Sequence, residues 1–153
     1  MNWETYLGIA PFDWLSVFTA LFCSTLIGLE RQHRGKPLGV RTAAMISLGT
    51  YLFVAGALSI QTGQSDPLRI IGQVITGIGF LGAGVILKNN GAIIGVTSAA
   101  TIWALASISV VIALGHRLTA LKLSFLVILL LPGIDWLEKK IHSLSKENHQ
   151  EEN

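Results

Sequence analysis

Residues 66–87 read DPLRIIGQVITGIGFLGAGVIL, and the other segments take their places around this one. After Asp66-Pro67 its single charge is Arg69. A helix over 67–87 rises about 1.5 Å per residue, about 31 Å in all, against a bilayer hydrocarbon core of about 30 Å. Asp66 suits an N-cap, its carboxylate meeting orphan N–H groups, and Pro67 suits the first helical position. Arg69 is spaced to pair with Asp66. At about 100° per residue, Gln73, Gly77, Phe80 and Gly84 share one face, and Gly72, Gly79 and Ala83 share another with Gly82 nearby. In lipid, helices associate through small residues and interhelical hydrogen bonds rather than hydrophobic drive. Small residues on two faces predict neighbours on two sides, and hence a helix at the centre of a bundle.

The run Gly77-Ile78-Gly79-Phe80-Leu81-Gly82 fits G-x-G-x-x-G. A dinucleotide fingerprint needs a preceding strand, a turn and an acid about 20 residues on. Here the run lies inside an apolar helix, and residues 96–101 offer no acid, so nucleotide binding is not expected.

The 153 residues are 51% hydrophobic and 13% charged, with mean hydropathy +0.59. A soluble domain carries about 25% charged residues, so the class is integral membrane. A net charge of +2 does not suggest nucleic acid. The lone Cys23 excludes an internal disulfide and a multi-cysteine metal site. In apolar surroundings it reads as a small packed residue rather than a reactive thiol. Residues 1–11 carry Glu4 and no basic n-region, so no cleavable signal is expected. Trp3 and Tyr6 suit a membrane–water interface.

Outward from the third span, four more are predicted, giving 12–30, 42–61, 67–87, 97–115 and 118–137. In the first, Ser16, Ala20, Cys23, Ile27, Glu30 and Arg34 form one stripe facing the bundle. RQHRGKPLGVR (31–41) is a basic loop broken by Gly35, Pro37 and Gly39. In the second span Gly49 and Gly56 lie on one face. KNNGAIIGV (88–96) is a turn through Asn89-Asn90-Gly91. In the fourth span Thr97, Ala100, Ala104 and Ser107 make a small-residue face beside Trp103. The fifth is nearly all large aliphatic, which predicts a lipid-facing edge helix with snorkelling Lys122 and a kink at Pro132-Gly133. Residues 1–137 form one transmembrane domain and 138–153 a polar tail.

Five spans put the termini on opposite sides. Eight of the eleven Lys and Arg residues fall on the side of the 31–41 loop and the tail. The positive-inside rule then places the N-terminus outside and the C-terminus in the cytoplasm.

The blocks Gly28-Leu29-Glu30-Arg31-Gln32, Arg34-Gly35-Lys36-Pro37 and Gly39-Val40-Arg41-Thr42 come first. They are followed by Asp66-Pro67, Arg69-Ile70, Gln73-Val74 and residues 77–86, then Gly95-Val96-Thr97, Ala99-Ala100-Thr101 and Trp103-Ala104. In this order and spacing, over roughly 28–115, the chain resembles the MgtC/SapB family of bacterial inner-membrane proteins. The resemblance implies a multi-pass, five-helix domain with its N-terminus outside. It implies growth at low magnesium and survival in macrophages (virulence). It implies a regulator of membrane energetics, including inhibition of the ATP synthase, more than a magnesium carrier. Many members carry a cytoplasmic ACT-like domain after the last helix, which these residues do not contain, and a role resting on that domain is not expected of them.

Among polar residues, Glu30 has two readings. One is a structural ion pair with Arg31, Arg34 or Arg41; the other is ion or partner binding, since intramembrane charges tend to be functional. Asp66 is cap and ion-pair partner, or an outer cation site. Asp66 and Glu30 are the metal candidates. Mg²⁺ keeps several waters and wants one or two carboxylates, and no other cofactor is expected. Gln73 needs a bond, with Thr97 and Thr101 or backbone carbonyls as partners. Arg31, Arg34, Lys36 and Arg41 set topology and touch anionic lipid, or bind a protein or phosphate. The four histidines are scattered, and no nucleophile–base pair is recognisable, so an enzyme is not expected. Two functions stay open: a regulator acting on another membrane complex, and a small Mg²⁺ or ion transporter, dimeric through its glycine faces.

Overall fold

The computed structural model describes residues 8–60, 66–89 and 92–150. Among the described residues are five α-helices and one antiparallel strand pair: α1 (Trp14–His33), α2 (Val40–Ser59), α3 (Pro67–Gly84), β1 (Leu87–Asn89), β2 (Ala92–Ile94), α4 (Val96–Ala113) and α5 (Arg117–Gln150). Among the described residues three stretches are long and apolar enough to cross a membrane: α2, α4 and Arg117–Ile134 of α5. The apolar part of α3, Leu68–Gly84, is shorter, and α1 carries Glu30 and Arg31 in its last turns.

Local chemistry sets the boundaries. Asp13 caps α1 by accepting from Leu15 N and Ser16 N, and Asp66 caps α3 by accepting from Leu68 N at 2.9 Å. Nothing breaks α1 before Gly35, whose φ of 62° is the left-handed conformation that ends helices. The helix therefore runs to His33, past the expected end at 30. The third helix ends at Gly84 rather than 87. Beyond it the chain pairs antiparallel, Leu87 with Ile94 and Asn89 with Ala92, where sequence reasoning placed a simple turn. An Asn-Gly between short apolar runs is a hairpin signal; Asn90 and Gly91 themselves lie outside the described residues. Gly95 closes this crossing. Its φ is 91°, and a Cβ there would stand 2.0 Å from the Val85 carbonyl oxygen. In α5, Pro132 sits inside a helix that continues to Gln150, so the polar segment after 137 extends the helix.

The core lies between α1, α2 and α4. Ala20, Cys23 and Ile27 form one buried cluster with Ala43 and Tyr51 and with Ile102, Leu105, Ile108 and Ile112. Of the expected bundle-facing stripe of α1, Ser16, Ala20, Cys23 and Ile27 are buried, Glu30 is half-buried and Arg34 is exposed. Gly28 brings α1 and α2 together, for a Cβ there would sit 2.7 Å from Val40 Cα. Ser47 Oγ stands 2.7 Å from Ser109 Oγ and 3.2 Å from the Ala20 carbonyl oxygen, so buried hydroxyls join all three helices.

This arrangement corrects the expectation that the glycine-rich third helix is the hub. The helix packed against all the others is α4, while α3 packs on α4 and more lightly on α2. Among its described residues only Ile78 and Gly82 are buried. Its branched residues Ile71, Val74 and Ile78 turn inward, and Gly72, Gly77, Gly79 and Gly84 have open space where a Cβ would be. The inward face of α4 is not its small-residue face. Ser98, Thr101, Leu105 and Ile108 are buried, whereas Thr97, Ala100 and Ser107 are exposed. Large aliphatics fill the three-helix core, and the small face is left outside it.

Candidate functional site

The densest polar chemistry lies where α1 ends, the basic loop turns and α4 begins. Continuing α1 past Glu30 places Glu30 and Arg34 one turn apart, with Arg34 Nε 2.6 Å from Glu30 Oε1. Arg31 points the other way, into the bundle. It is the largest fully buried side chain, 1% exposed. Its Nη1 is 3.9 Å from Glu30 Oε2, and its Nη2 donates to Ser98 Oγ in the first turn of α4 at 3.5 Å. Arg31 Nε and both Glu30 oxygens are buried without a well-aligned hydrogen bond among the described residues.

The loop that follows is built, not loose. Lys36 N donates to the Arg31 carbonyl at 3.0 Å, Val40 N donates to Gln32 Oε1 at 3.2 Å, and Leu38 is buried. Arg31, expected with the basic loop, is instead a buried residue of the last turn of α1 beside Glu30. A buried guanidinium costs much less when it meets a carboxylate and a hydroxyl, and α1 supplies one while α4 supplies the other. Lys36 and Arg41 are exposed.

The remaining expected residues fall elsewhere. Asp66 and Arg69 are both exposed and form no ion pair among the described residues. The Asp66 carboxylate is committed to the cap, and the contact between them is Arg69 N to the Asp66 carbonyl, 3.1 Å. Asp66 opens α3 while Glu30 lies near the close of α3, across the hairpin, so the two metal candidates stand at opposite ends and cannot share an ion. Among the described residues no three His, Cys, Asp or Glu cluster. Gln73 does not reach Thr97 or Thr101. Thr101 Oγ1 donates instead to the Thr97 carbonyl at 2.7 Å. Gln73 and Gly77 line an open groove of about 600 Å³ between α2 and α3, with Gly49, Thr50 and Phe53 opposite. Gly79, Gly82 and Trp103 line a second recess, of about 510 Å³, between α3 and α4. Gly84 faces open space.

A second polar cluster, not expected from sequence, lies at the other end. Arg117 Nη1 pairs with Asp13 Oδ2 and lies 3.3 Å from Ser16 Oγ, while Asp13 N donates to Tyr51 Oη at 3.2 Å. The Ser16 hydroxyl, 2.8 Å from Asp13 Oδ2, is the main cause holding the Asp13 carboxyl below its ordinary pKa; backbone N–H groups and Arg117 act the same way, and partial desolvation opposes them. The spacing of 104 residues between Asp13 and Arg117 left no local signal.

Residues 17–140 match the MgtC family. The chain is 45% identical over 106 residues to the "Putative magnesium transporter YhiD" of Escherichia coli K12, covering 65% of this chain and 49% of that protein. It is 37% identical over 114 residues to "Protein MgtC" of Salmonella typhimurium LT2, covering 74% and 48%. A Haemophilus influenzae protein of unassigned role is 36% identical over 149 residues, 88% of this chain and 62% of its own length. The chain thus spans about half the length of the curated relatives it matches first. No solved structure matches it.

Proposed function

Because the chain belongs to the MgtC family, we propose that it is a multi-pass bacterial inner-membrane protein that supports adaptation to low magnesium, with virulence as a downstream consequence. In this reading it is not an enzyme and acts on another membrane complex, of the ATP synthase kind, or on ion balance. Its five helices all cross the bilayer, N-terminus outside and C-terminus cytoplasmic.

The observation that carries the regulator over the carrier is the packed interior. Ala20, Cys23, Ile27, Leu105, Ile108 and Ile112 are buried between the two polar ends, and the hydroxyls among them are satisfied locally. Glu30 and Asp66, the two acids a cation path would use, stand at opposite ends of that packing. The partner surface suggested by this reading is the outward face of α3. Its glycines are open and Phe80 is exposed, whereas a helix facing only lipid gains nothing from small residues. A second copy of the chain fits that face as well as another complex does.

The relative named as a putative magnesium transporter favours the second reading, a small Mg²⁺ or ion carrier. Purified protein in liposomes, assayed for Mg²⁺ flux, separates the two. The regulator predicts no flux above empty vesicles. Flux that disappears with Glu30→Gln or Asp66→Asn overturns it.

A further inference from the structure

The last helix is longer than the bundle it belongs to. Arg117–Ile134 is long and apolar enough to cross a membrane, yet α5 continues to Gln150. At about 1.5 Å per residue, residues 137–150 reach about 20 Å past that crossing. Trp136 is exposed, and Lys140 Nζ lies 5.1 Å from the centre of its ring. A ring and a cation held together suit the membrane–water boundary. Beyond that boundary, up to Gln150, the apolar residues are Leu137, Ile141 and Leu144. They extend a stripe that begins inside the crossing: Leu130, Ile134, Leu137, Ile141 and Leu144 follow one another by 4, 3, 4 and 3 residues. This is the 3.5-residue repeat of a coiled coil, with Ile at each a position and Leu at each d position. Asn148 takes the next a position. The stripe is not the side of α5 that faces its own bundle. Val127, Ile128 and Leu131 pack against the core, whereas Leu130, Ile134 and Leu137 are exposed. At about 100° per residue the two sets are centred roughly a third of a turn apart.

We propose that α5 pairs with α5 of a second copy along this stripe, as a parallel, in-register, two-stranded coiled coil. The pattern itself selects the occupant. Ile at a with Leu at d favours two parallel strands, and a single Asn at an a position fixes register and strand number. Two copies inserted the same way in one bilayer present their fifth helices parallel and at equal height. A seam of about two heptads is too short to hold two free helices in water, but anchoring in the bilayer fixes direction and height beforehand, which lowers the entropy lost on association. Across such a pair the g and e positions set Gly133 against Glu138 and Lys140 against Ser145, so no like charges oppose one another. A second copy held by α5 leaves the open face of α3 to another complex. The inference rests on α5 crossing the bilayer, as the multi-pass reading has it, and the Mg²⁺ flux assay tests that function independently of this pairing.

The test uses the whole protein in liposomes at a low protein-to-lipid ratio, with the buried Cys23 left in place. Single cysteines are introduced on the seam, Ile141→Cys at a and Leu144→Cys at d, and away from it, Lys139→Cys and Lys146→Cys, both at f. Under copper phenanthroline oxidation the seam cysteines should form disulfide-linked dimers at least tenfold faster than the f cysteines, because in a parallel, in-register pair like positions meet only on the seam. A second measurement reads energy transfer between donor- and acceptor-labelled copies. Ile141→Glu combined with Leu144→Glu should weaken association at least tenfold. His142→Glu combined with Ser143→Glu adds the same charge at b and c, and should hold association within twofold of wild type. All these positions lie past the crossing, so the bundle itself keeps its sequence. Cross-linking that is equal at the four positions, or absent from both seam positions, overturns the proposal, as does a seam double variant that associates like wild type.

Discussion

Arg117, the first residue of α5, pairs with Asp13, the N-cap of α1, so the first and last helices start at the same end of the bundle. At the opposite end Arg31, near the close of α1, meets Ser98, at the opening of α4. Together the two contacts make α1 and α5 run one way and α4 the other, the alternation that five successive crossings require.

That alternation predicts labelling sides. Cys23 is buried, so single introduced cysteines can be read above it. Lys36→Cys and Lys88→Cys should react with a membrane-impermeant maleimide only after the cytoplasmic face is opened, and Leu118→Cys should react from outside. All three reacting from one side would refute the five-crossing topology.

Acid should loosen the Asp13 latch. The carboxyl pKa is lowered by folding, so its contribution is fully present above the unfolded value of about 3.9 and is lost as pH falls through the lower folded value. Asp13→Ala removes the cap, an effect of about 0.5–2 kcal/mol. The variant should melt lower than wild type at neutral pH, and the gap should close below about pH 3. A gap that persists unchanged in acid would show that the carboxylate is not its source.

Glu30 and Arg34 should differ in cost although they touch. Glu30→Ala leaves Arg31 buried without its carboxylate, and breaking a buried pair costs about 3–5 kcal/mol. Arg34 is about one-third exposed, and its replacement by Ala should cost about 1 kcal/mol or less. Unfolding in mixed detergent micelles measures both, and equal costs would mean the burial of Arg31 does not depend on Glu30.

Two glycines should behave oppositely. Gly95→Ala puts a Cβ into the Val85 carbonyl and forces a left-handed conformation that alone costs about 1–2 kcal/mol. The hairpin should fail to close, with large loss of folded yield. Gly72→Ala meets open space and should be neutral or stabilising by up to about 1 kcal/mol. Comparable losses at both positions would contradict the described crossing.

The outward face of α3 should matter for association more than for folding. A Cβ added at Gly84, on the face of Phe80, would have nothing within 4 Å, so Gly84→Leu should leave the stability within about 0.5 kcal/mol of wild type. Chemical cross-linking in membranes should lose its dimer or partner band. An unchanged band would remove α3 as the contact face.

Much of the helical order was readable from residues alone. Asp66-Pro67 marked the start of α3, and the Ser16, Ala20, Cys23, Ile27 stripe marked the buried side of α1, because caps and 3.6-residue periodicity are local. The hub was not readable. Glycines allow close approach but do not say whether a neighbour takes it, and in lipid an outward small face and an inward one look the same in sequence. Asn-Gly carried the hairpin signal at residues 87–94, but the apolar run before it masked the end of the helix.

The membrane class, the helix starts and the concentration of basic charge between 31 and 41 follow from composition and short-range chemistry, which need no knowledge of distant residues. Which arginine is buried, which helix lies in the middle and which acid meets which base depended on packing. Arg31 and Ser98 are separated by 67 residues, and only the docking of α4 against the end of α1 brings a hydroxyl to a guanidinium that would otherwise belong in water.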